Sequence, residues 1–223
     1  MFRKIKGLKY PDEYFVKFFF KNNLHKKNNL KYLEFGCGNG SNLMLPYQYN
    51  GNSIIGIDYN ESLIEDAKYN FNLFDNNSYK YIFHADDMKS FVKRNQEIKA
   101  DVLILASVIY YISRNDFIMF LEEMKKNDFL NSNIPFYIRI RTKKDFRYGY
   151  GKQISPNRYK MPEISITGEN NAEIEFYNES EIIDILKEKL NLRNYKVFHL
   201  DNQNEHDNNI ILNSDIVIWG TIN

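Results

Sequence analysis

The sequence predicts an α/β fold in which helices flank a mostly parallel sheet. Five short apolar segments alternate with segments of helical periodicity, a pattern typical of parallel strands joined by right-handed crossovers. The segment 101–107, DVLILAS, is continuously apolar, as expected of a central strand buried on both faces. After the fifth strand, one helix leads to two strands joined by a short connection, which predicts an antiparallel pair.

The first half of the chain carries three of the five strands. A helix is expected over 11–20, where Pro11 and two acids form a typical helix start. Strands follow over 30–35, 53–58 and 79–85. The short helix after the first strand must end near Pro46, because proline interrupts a helix. Asn60 is expected to cap the next helix, whose apolar residues recur at helical spacing.

The second half continues the alternation with one interruption. Ser113 and Asp116 predict a capping box for the helix that precedes the fifth strand, expected over 135–141. Residues 142–177 then carry no helical period and are rich in Lys, Arg, Tyr, Gly and Pro.

Order resumes near the end of the chain. Asn178 and Glu181 are expected to cap the last helix. The two closing strands are predicted over 195–200 and 214–222, with an exposed polar loop, 201–209, between them.

Composition narrows the class of protein. The formal net charge is +1, so the chain as a whole has no strong field for nucleic acid or membrane. Cys37 is the single cysteine, which excludes an internal disulfide and suits a reducing compartment. No apolar run approaches membrane-spanning length. We therefore expect a soluble, cytoplasmic protein.

Three glycines follow the first strand in the motif EFGCGNG, at positions 36, 38 and 40. Such a turn places bare backbone amides at the carboxyl edge of the sheet, where ligands of open α/β sheets bind. Dinucleotides favour G-x-G-x-x-G, whereas here the third glycine comes one position early. Asp58 ends the second strand, about 20 residues after the glycines. This spacing suits an acid that accepts ribose hydroxyls, in a dinucleotide or in another nucleoside-containing cofactor. These residues alone indicate a nucleoside-containing cofactor and leave its identity open.

Four segments in order, EFGCGNG, IGIDYNESLIEDAK, HADDM and DVLILASVIYYIS, resemble the class I S-adenosylmethionine-dependent methyltransferases. The resemblance spans about 32–141. It implies a Rossmann-like sheet of seven strands in the order 3-2-1-4-5-7-6, with strand 7 antiparallel. It also implies a single methyltransferase domain over 1–223, with an N-terminal helix or lid over 1–30 and a substrate-binding insertion over 142–177. S-adenosylmethionine would be the cofactor, S-adenosylhomocysteine the product, and no metal is implied.

The resemblance assigns cofactor contacts by position. Those implied for the methionine end are Glu34, Gly36, Cys37, Gly38, Gly40, Ala106 and Ser107. Those implied for the adenosine end are Asp58 on both ribose hydroxyls, Tyr59 along the adenine and Asp86 on its amino group, with the amides of Asp87 and Met88 nearby. Helix capping is the rival role for Asp58, and for one of Asp86 and Asp87.

The clue to the methyl acceptor is the segment that follows the fifth strand. Eight basic residues and one acid, Asp145, lie between Arg139 and Lys160, with tyrosines interleaved. One interpretation is an anion-binding pocket, since arginine forks grip phosphate or carboxylate, and the other is a solvated loop or a surface that answers acidic patches. The residues predicted to contact the substrate are Tyr10, Tyr111, Arg139, Arg141, Arg147 and Tyr148. The candidates for a catalytic role are Tyr110, Tyr111 and His206.

These features favour an acidic acceptor, either phosphorylated, nucleotide-linked or of the sugar type. The strings YPDEY, IRIRTKKDFRYG and NSDIVIWG resemble, more loosely, methyltransferases of bacterial surface-polysaccharide pathways, which would suit O-methylation. Two alternatives stay open: an RNA or protein methyltransferase that docks through the basic segment, or a non-catalytic cofactor-binding domain. Nucleic acid is disfavoured because the chain has near-neutral charge and no separate RNA-binding module. The four histidines show no metal-ligand spacing.

Overall fold

A computed structural model describes residues 2–49, 51–74, 79–94, 98–206 and 208–223 of the chain. The strands are β1 (Lys31–Phe35), β2 (Ser53–Asp58), β3 (Tyr81–Ala85), β4 (Val102–Ala106), β5 (Ile134–Arg141), β6 (Lys152–Ser155), β7 (Arg158–Lys160), β8 (Glu173–Glu175), β9 (Arg193–His206) and β10 (Asn209–Ile222). The helices are α1 (Glu13–Lys21), α2 (Met44–Tyr47), α3 (Glu61–Asn72), α4 (Met88–Arg94), α5 (Arg114–Lys126) and α6 (Glu179–Leu190). No helix within these ranges is long and apolar enough to span a membrane.

The main sheet confirms the predicted topology. In the described residues its strand order is β3-β2-β1-β4-β5-β10-β9. Strands β1 to β5 pair in parallel, and β10 is antiparallel to both β5 and β9. This is the Rossmann-like arrangement with an antiparallel strand inserted beside β5. The predicted caps are also present, since Asn60 and Ser113 accept backbone N–H bonds at the starts of α3 and α5, and Asn178 with Glu181 forms a capping box for α6.

Both faces of the sheet are buried, and the central strand shows why. Along β4, Leu103 and Leu105 belong to the core beneath α4, α5 and α6, while Val102 and Ile104 belong to the core beneath α1 and α3. Alternate side chains of a strand point to opposite faces, so a continuously apolar strand can fill two cores at once. Because β1 to β5 are parallel, their carboxyl ends lie at one common edge of this buried sheet.

The short helix ends near Pro46, as predicted, but it begins only at Met44. Pro46 is the third residue of α2, which runs from Met44 to Tyr47. The backbone N–H groups in the first turn of a helix have no intrahelical partner, so proline costs little there. The glycine turn is also followed by turns rather than directly by a helix.

Residues 142–177, expected to be irregular, contain an antiparallel sheet in the order β6-β7-β8. A small hydrophobic core of Tyr159, Met161, Ile174 and Phe176 packs against Tyr110. The segment has no helical period, and a short alternation of apolar and polar residues, over 172–176, includes β8.

The expected loop over 201–209 is wrong for most of its length. Residues 201–206 continue β9, and Asn209 already begins β10. Strand β10 pairs with β5 only from Asp215 to Ile222, so the hairpin continues beyond the edge of β5. We call this part, residues 201–206 of β9 and 209–214 of β10, the hairpin overhang.

Candidate functional site

A cavity of about 1190 Å³ lies at the carboxyl edge of the parallel strands. Its lining combines the ends of β1, β2, β3, β4 and β5 with the segment before α1 and the hairpin overhang. Of the predicted cofactor residues, ten line it: Gly36, Cys37, Gly38, Asp58, Tyr59, Asp86, Asp87, Met88, Ala106 and Ser107. Of the predicted substrate residues, Tyr10, Tyr111, Arg139 and Arg141 line it.

The glycine turn presents its backbone to this cavity. The N–H of Gly36 donates to the carbonyl of Ile57 at 2.7 Å, which ties the turn to the end of β2. A side chain at Gly36 would meet Val108 at 2.3 Å, whereas no described atom lies within 4 Å of a Cβ placed on Gly38. Both glycines have positive φ angles. Gly36 is therefore required for packing, and Gly38 leaves open a space that a ligand can approach closely.

Asp58 joins the end of β2 to the glycine turn. Its Oδ2 accepts the N–H of Gly38 at 2.9 Å, and its Oδ1 accepts the N–H of Asn60 at 2.9 Å. Each carboxylate oxygen keeps a further lone pair, so these bonds are compatible with accepting hydroxyl groups as well. Tyr59, next in the chain, is 81% exposed at the cavity edge.

The two acids after β3 have separate roles. Asp87 caps α4 by accepting the N–H of Ser90 at 2.9 Å, so capping falls to this residue. The side chain of Asp86 pairs with Arg94, and its backbone N–H donates to the carbonyl of Asp58 at 2.9 Å. Asp86 is thereby held beside the end of β2.

Glu34 lies behind the cavity surface rather than on it, as does Gly40. The Glu34 carboxyl group is fully buried, its Oε1 accepts from Nδ2 of Asn42 at 2.7 Å, and its Oε2 has no partner among the described atoms. Burial, reinforced by the Asp58 and Asp12 carboxylates, raises the pKa of Glu34 to about 8 despite the Asn42 hydrogen bond. A carboxyl group with this pKa is mostly protonated at neutral pH.

Asp12, which the sequence indicated only as part of a helix start, connects α1 with β5 and β10 at the cavity wall. Asp12 caps α1 and accepts the hydroxyl of Tyr137 at 2.7 Å. Arg139 pairs with Asp12 and donates from Nε and Nη2 to Oδ2 of Asp215, at 2.8 and 2.6 Å. Two carboxylates on the cavity wall therefore share one guanidinium, which leaves one excess negative charge.

Two further arginines of the basic segment are also paired with carboxylates. Arg141 stacks on the ring of Tyr110 at 4.3 Å and donates to Glu169 at 2.9 Å. Arg147 pairs with both Glu169 and Asp145, and its side chain is only 6% exposed. Burial opposes ionisation of Glu169, but Arg141 and Arg147 outweigh it and lower the pKa to about 2. Arg147 and Tyr148 do not belong to the cavity lining described here.

The three catalytic candidates occupy different environments. Burial raises the pKa of Tyr110 and of Tyr111, so both phenols keep their protons at neutral pH. The Tyr111 hydroxyl donates to Glu169 at 2.9 Å, and its ring lines the cavity. His206, expected in a loop, is the last residue of β9; it is exposed and is not part of the described lining.

The residues that sequence reasoning missed come mainly from the hairpin overhang and the strand that follows it. Asn202, Asn204, Asn213 and Asp215 all line the cavity. Residues 201–206 are all polar, so the sequence has no polar–apolar alternation that would indicate a strand there. Among the described residues, no group of three or more His, Cys, Asp or Glu side chains is placed to hold a metal ion.

Comparisons with known proteins agree with this architecture. Residues 26–140, slightly more than half of the chain, match the family model described as "Methyltransferase domain". None of the curated protein sequences matches the chain. Solved structures of similar fold include a SAM-dependent methyltransferase from Methanosarcina mazei, with a TM-score of 0.63 and 16% identity, covering 91% of this chain and 98% of that one.

Two further structures share the fold. A SAM-dependent methyltransferase from Archaeoglobus fulgidus has a TM-score of 0.58 and 16% identity, covering 94% of this chain and 100% of that one. The magnesium protoporphyrin IX methyltransferase from Synechocystis PCC 6803, solved with bound SAM, has a TM-score of 0.54 and 13% identity, covering 92% of this chain and 76% of that one. With its family match and its sheet order, the chain belongs to the methyltransferase-domain family and is a class I S-adenosylmethionine-dependent methyltransferase.

Proposed function

We propose that the cavity binds S-adenosylmethionine at the strand ends and a small polar acceptor beside it, and that the chain methylates an oxygen of that acceptor. The observation that carries this proposal is the size and composition of the cavity. At about 1190 Å³ it exceeds the usual range of about 300–1000 Å³ for a site holding one small ligand. One cofactor and one acceptor account for the additional space.

The residues around the glycine turn fit the cofactor. The space over Gly38 allows close approach of the ligand to the backbone. Asp58 supplies carboxylate oxygens for a vicinal diol, and Tyr59 supplies an exposed ring for a base. The acids on the wall suit a cationic sulfur better than they suit a phosphate. We assign the adenosine end to Asp58, Tyr59, Asp86, Asp87 and Met88, and the methionine end to Ala106, Ser107 and the turn.

When bound, S-adenosylmethionine supplies a methyl group on a cationic sulfur, and the acceptor oxygen displaces that sulfur, which keeps the electron pair of the carbon–sulfur bond. The chain must orient the acceptor and take its proton. Asp215 suits the second task, because both donors of Arg139 go to Oδ2 and no described residue donates to Oδ1. An acceptor that is already ionised needs no base.

The charges on and near the cavity wall bear on the class of acceptor. The expected acidic acceptor requires unmatched positive charge, yet Arg139, Arg141 and Arg147 are each paired with carboxylates in the described structure. This arrangement favours the sugar-type members of the predicted class over the phosphorylated ones. A polysaccharide pathway remains a prediction from the looser sequence resemblance.

Calorimetry tests the cofactor half. We expect S-adenosylhomocysteine to bind and NAD to give only the heat of the buffer titration. Failure of S-adenosylhomocysteine to bind would overturn the proposal, and NAD binding would indicate a dehydrogenase instead.

An RNA-binding assay tests the docking alternative. Binding of RNA that weakens steeply with salt would favour it. Arg158, also in the basic segment, pairs with Glu173, so such docking would rely on exposed lysines such as Lys152 and Lys160.

A further inference from the structure

We propose that the inner face of the hairpin overhang binds the methyl acceptor, and that this acceptor is a neutral, hydroxyl-rich small molecule of the sugar type. The inference rests on the proposed function, since it assigns the acceptor half of the same cavity. It starts from strand register. Asn202 of β9 pairs with Asn213 of β10, and Leu200 pairs with Asp215, so these side chains lie on one face of the ribbon.

This inner face faces the cavity. Asn202, Asn204 and Asn213 of this face line the cavity, as does Asp215, which follows the overhang in β10. The side-chain amides of Asn202 and Asn204 make no hydrogen bond to any residue that the structure describes. Asn213 uses only Oδ1, which accepts from Nη1 of Arg147 at 3.1 Å, and keeps its two N–H donors. The face therefore carries a set of uncommitted donors and acceptors.

The outer face differs because its polar groups next to the segment after β5 are already hydrogen-bonded or ion-paired. The hydroxyl of Ser214 donates to Asp201 at 2.6 Å and lies 2.7 Å from the hydroxyl of Thr142. Lys144 approaches the same Asp201 carboxylate at 3.7 Å. One face of the overhang thus fastens the ribbon to the segment after β5, and the other remains open to a ligand.

Main-chain bonds make the overhang a fixed wall. The N–H of Thr142 donates to the carbonyl of Ser214 at 2.9 Å, and the N–H of Phe146 donates to the carbonyl of Leu212 at 2.9 Å. The N–H of Ser214 donates to Oδ2 of the buried Asp145 at 3.1 Å. Amides mounted on such a support are held in position before the acceptor arrives, which reduces the entropy lost on binding.

The chemistry of the face selects the ligand class. Each asparagine amide offers two donors and one acceptor without charge, which matches hydroxyl groups that both donate and accept. Asp215 adds an anionic acceptor, which disfavours phosphate or carboxylate at this position. Tyr10 and Tyr111, also on the cavity wall, add ring faces for the apolar side of a sugar.

Saturation-transfer NMR tests the proposal with a defined panel of glucose, N-acetylglucosamine, glucuronic acid and glucose 1-phosphate, each in the presence of saturating S-adenosylhomocysteine. We expect signal from the neutral sugars. The double variant Asn202→Ala/Asn213→Ala should weaken their binding at least tenfold, since two uncharged hydrogen bonds are lost. Gln203→Ala, on the outer face of the same strand, is the matched control and should bind like the parent chain.

The outcomes separate this inference from the proposed function. Calorimetric affinity for S-adenosylhomocysteine should be the same in all three proteins, which shows that the cofactor half is intact. If S-adenosylhomocysteine binds but no sugar does, the proposed class of acceptor is wrong. Binding of only the two anionic sugars contradicts the neutral assignment. If the double variant and the Gln203→Ala control lose sugar binding equally, the inner face does not form the acceptor site.

Discussion

The backbone N–H of Gly38 donates a hydrogen bond of 2.9 Å to Oδ2 of Asp58, across the gap between the ends of β1 and β2. One carboxylate thus supports the turn over which the cofactor is proposed to lie, and it faces the same cavity. A structural role and the proposed ribose-binding role therefore coincide at Asp58, and a variant must separate them.

Replacing Asp58 by asparagine should weaken S-adenosylhomocysteine binding by about 10- to 100-fold. The reason is that the amide keeps only one acceptor oxygen, so one charge-assisted bond to the ribose hydroxyls, contributing about 1.5–3 kcal/mol, is lost. Calorimetry gives the affinity, and thermal unfolding checks that the amide still supports the turn. Asp184→Asn, at an exposed position of α6, is the control and should bind normally. Unchanged affinity in Asp58→Asn would refute the ribose assignment.

A substitution at Gly38 can have two effects, backbone strain and exclusion of the ligand, and a second glycine distinguishes them. Gly38→Ala and Gly149→Ala both place a Cβ at positive φ, +52° and +82°, where no described atom lies within 4 Å. Each should lower the free energy of unfolding by about 1–2 kcal/mol, since alanine disfavours this backbone region. Only Gly38 lines the cavity, so only Gly38→Ala should also impair S-adenosylhomocysteine binding. Urea unfolding and calorimetry measure the two effects, and equal binding in both variants would contradict close approach of the cofactor.

Glu34 predicts an unusual pH dependence of stability. Its pKa rises from 4.5 to about 8 on folding, so between these values the folded chain binds a proton that the unfolded chain has released. Its contribution to the free energy of unfolding should therefore fall as pH rises through this window, by up to about 1.4 kcal/mol per pH unit, and level off above pH 8. Glu34→Gln mimics the neutral acid.

Urea unfolding of both proteins at pH 5.5, 6.5 and 7.5 measures this effect as the difference between them, in which the other titrating groups cancel. We expect the parent chain to lose stability relative to Glu34→Gln with rising pH. A difference that does not vary with pH would mean that Glu34 is ionised in the folded state.

Arg147 is expected to be a stability residue rather than an anion-binding one. Its side chain is 6% exposed and contacts both Asp145 and Glu169, so Arg147→Met leaves two carboxylates with fewer partners. Removing one partner of such a buried pair costs about 3–5 kcal/mol. Lys152→Met, on the exposed strand β6, should change the free energy of unfolding little. Urea unfolding compares them, and near-equal values would place the Arg147 pairs in solvent.

Much of the sheet could be predicted because its strands are apolar runs bounded by turns. Segment 53–58 agrees with β2 at both ends, and Asn60 caps α3 as expected. The overhang could not be recognised in this way: residues 201–206 are polar and exposed, and main-chain pairing with β10 rather than burial holds them in strand form. Strand β6 was missed for the same reason, since all four of its residues are exposed.

The two ends of the candidate site also differ in how far they could be predicted from the sequence. Its cofactor end consists of strand ends that follow one another along the chain, so a local motif such as EFGCGNG reveals it. The acceptor end joins Asp12, Arg139 and Asp215, which are separated by 76 residues or more and meet only through folding. The basic composition of 139–160 was visible, but apart from Asp145 the acids that pair with it lie elsewhere in the chain.

The burial of Cys37 has a practical consequence for labelling chemistry. The thiol lies inside the glycine turn, 5% exposed, with its Sγ 3.6 Å from the carbonyl of Gly38. Burial raises its pKa well above the usual value, so at neutral pH it is protonated and shielded from alkylating reagents. A maleimide dye added to a Gln203→Cys variant should therefore react at the outer face of the overhang, with no need to remove the native thiol.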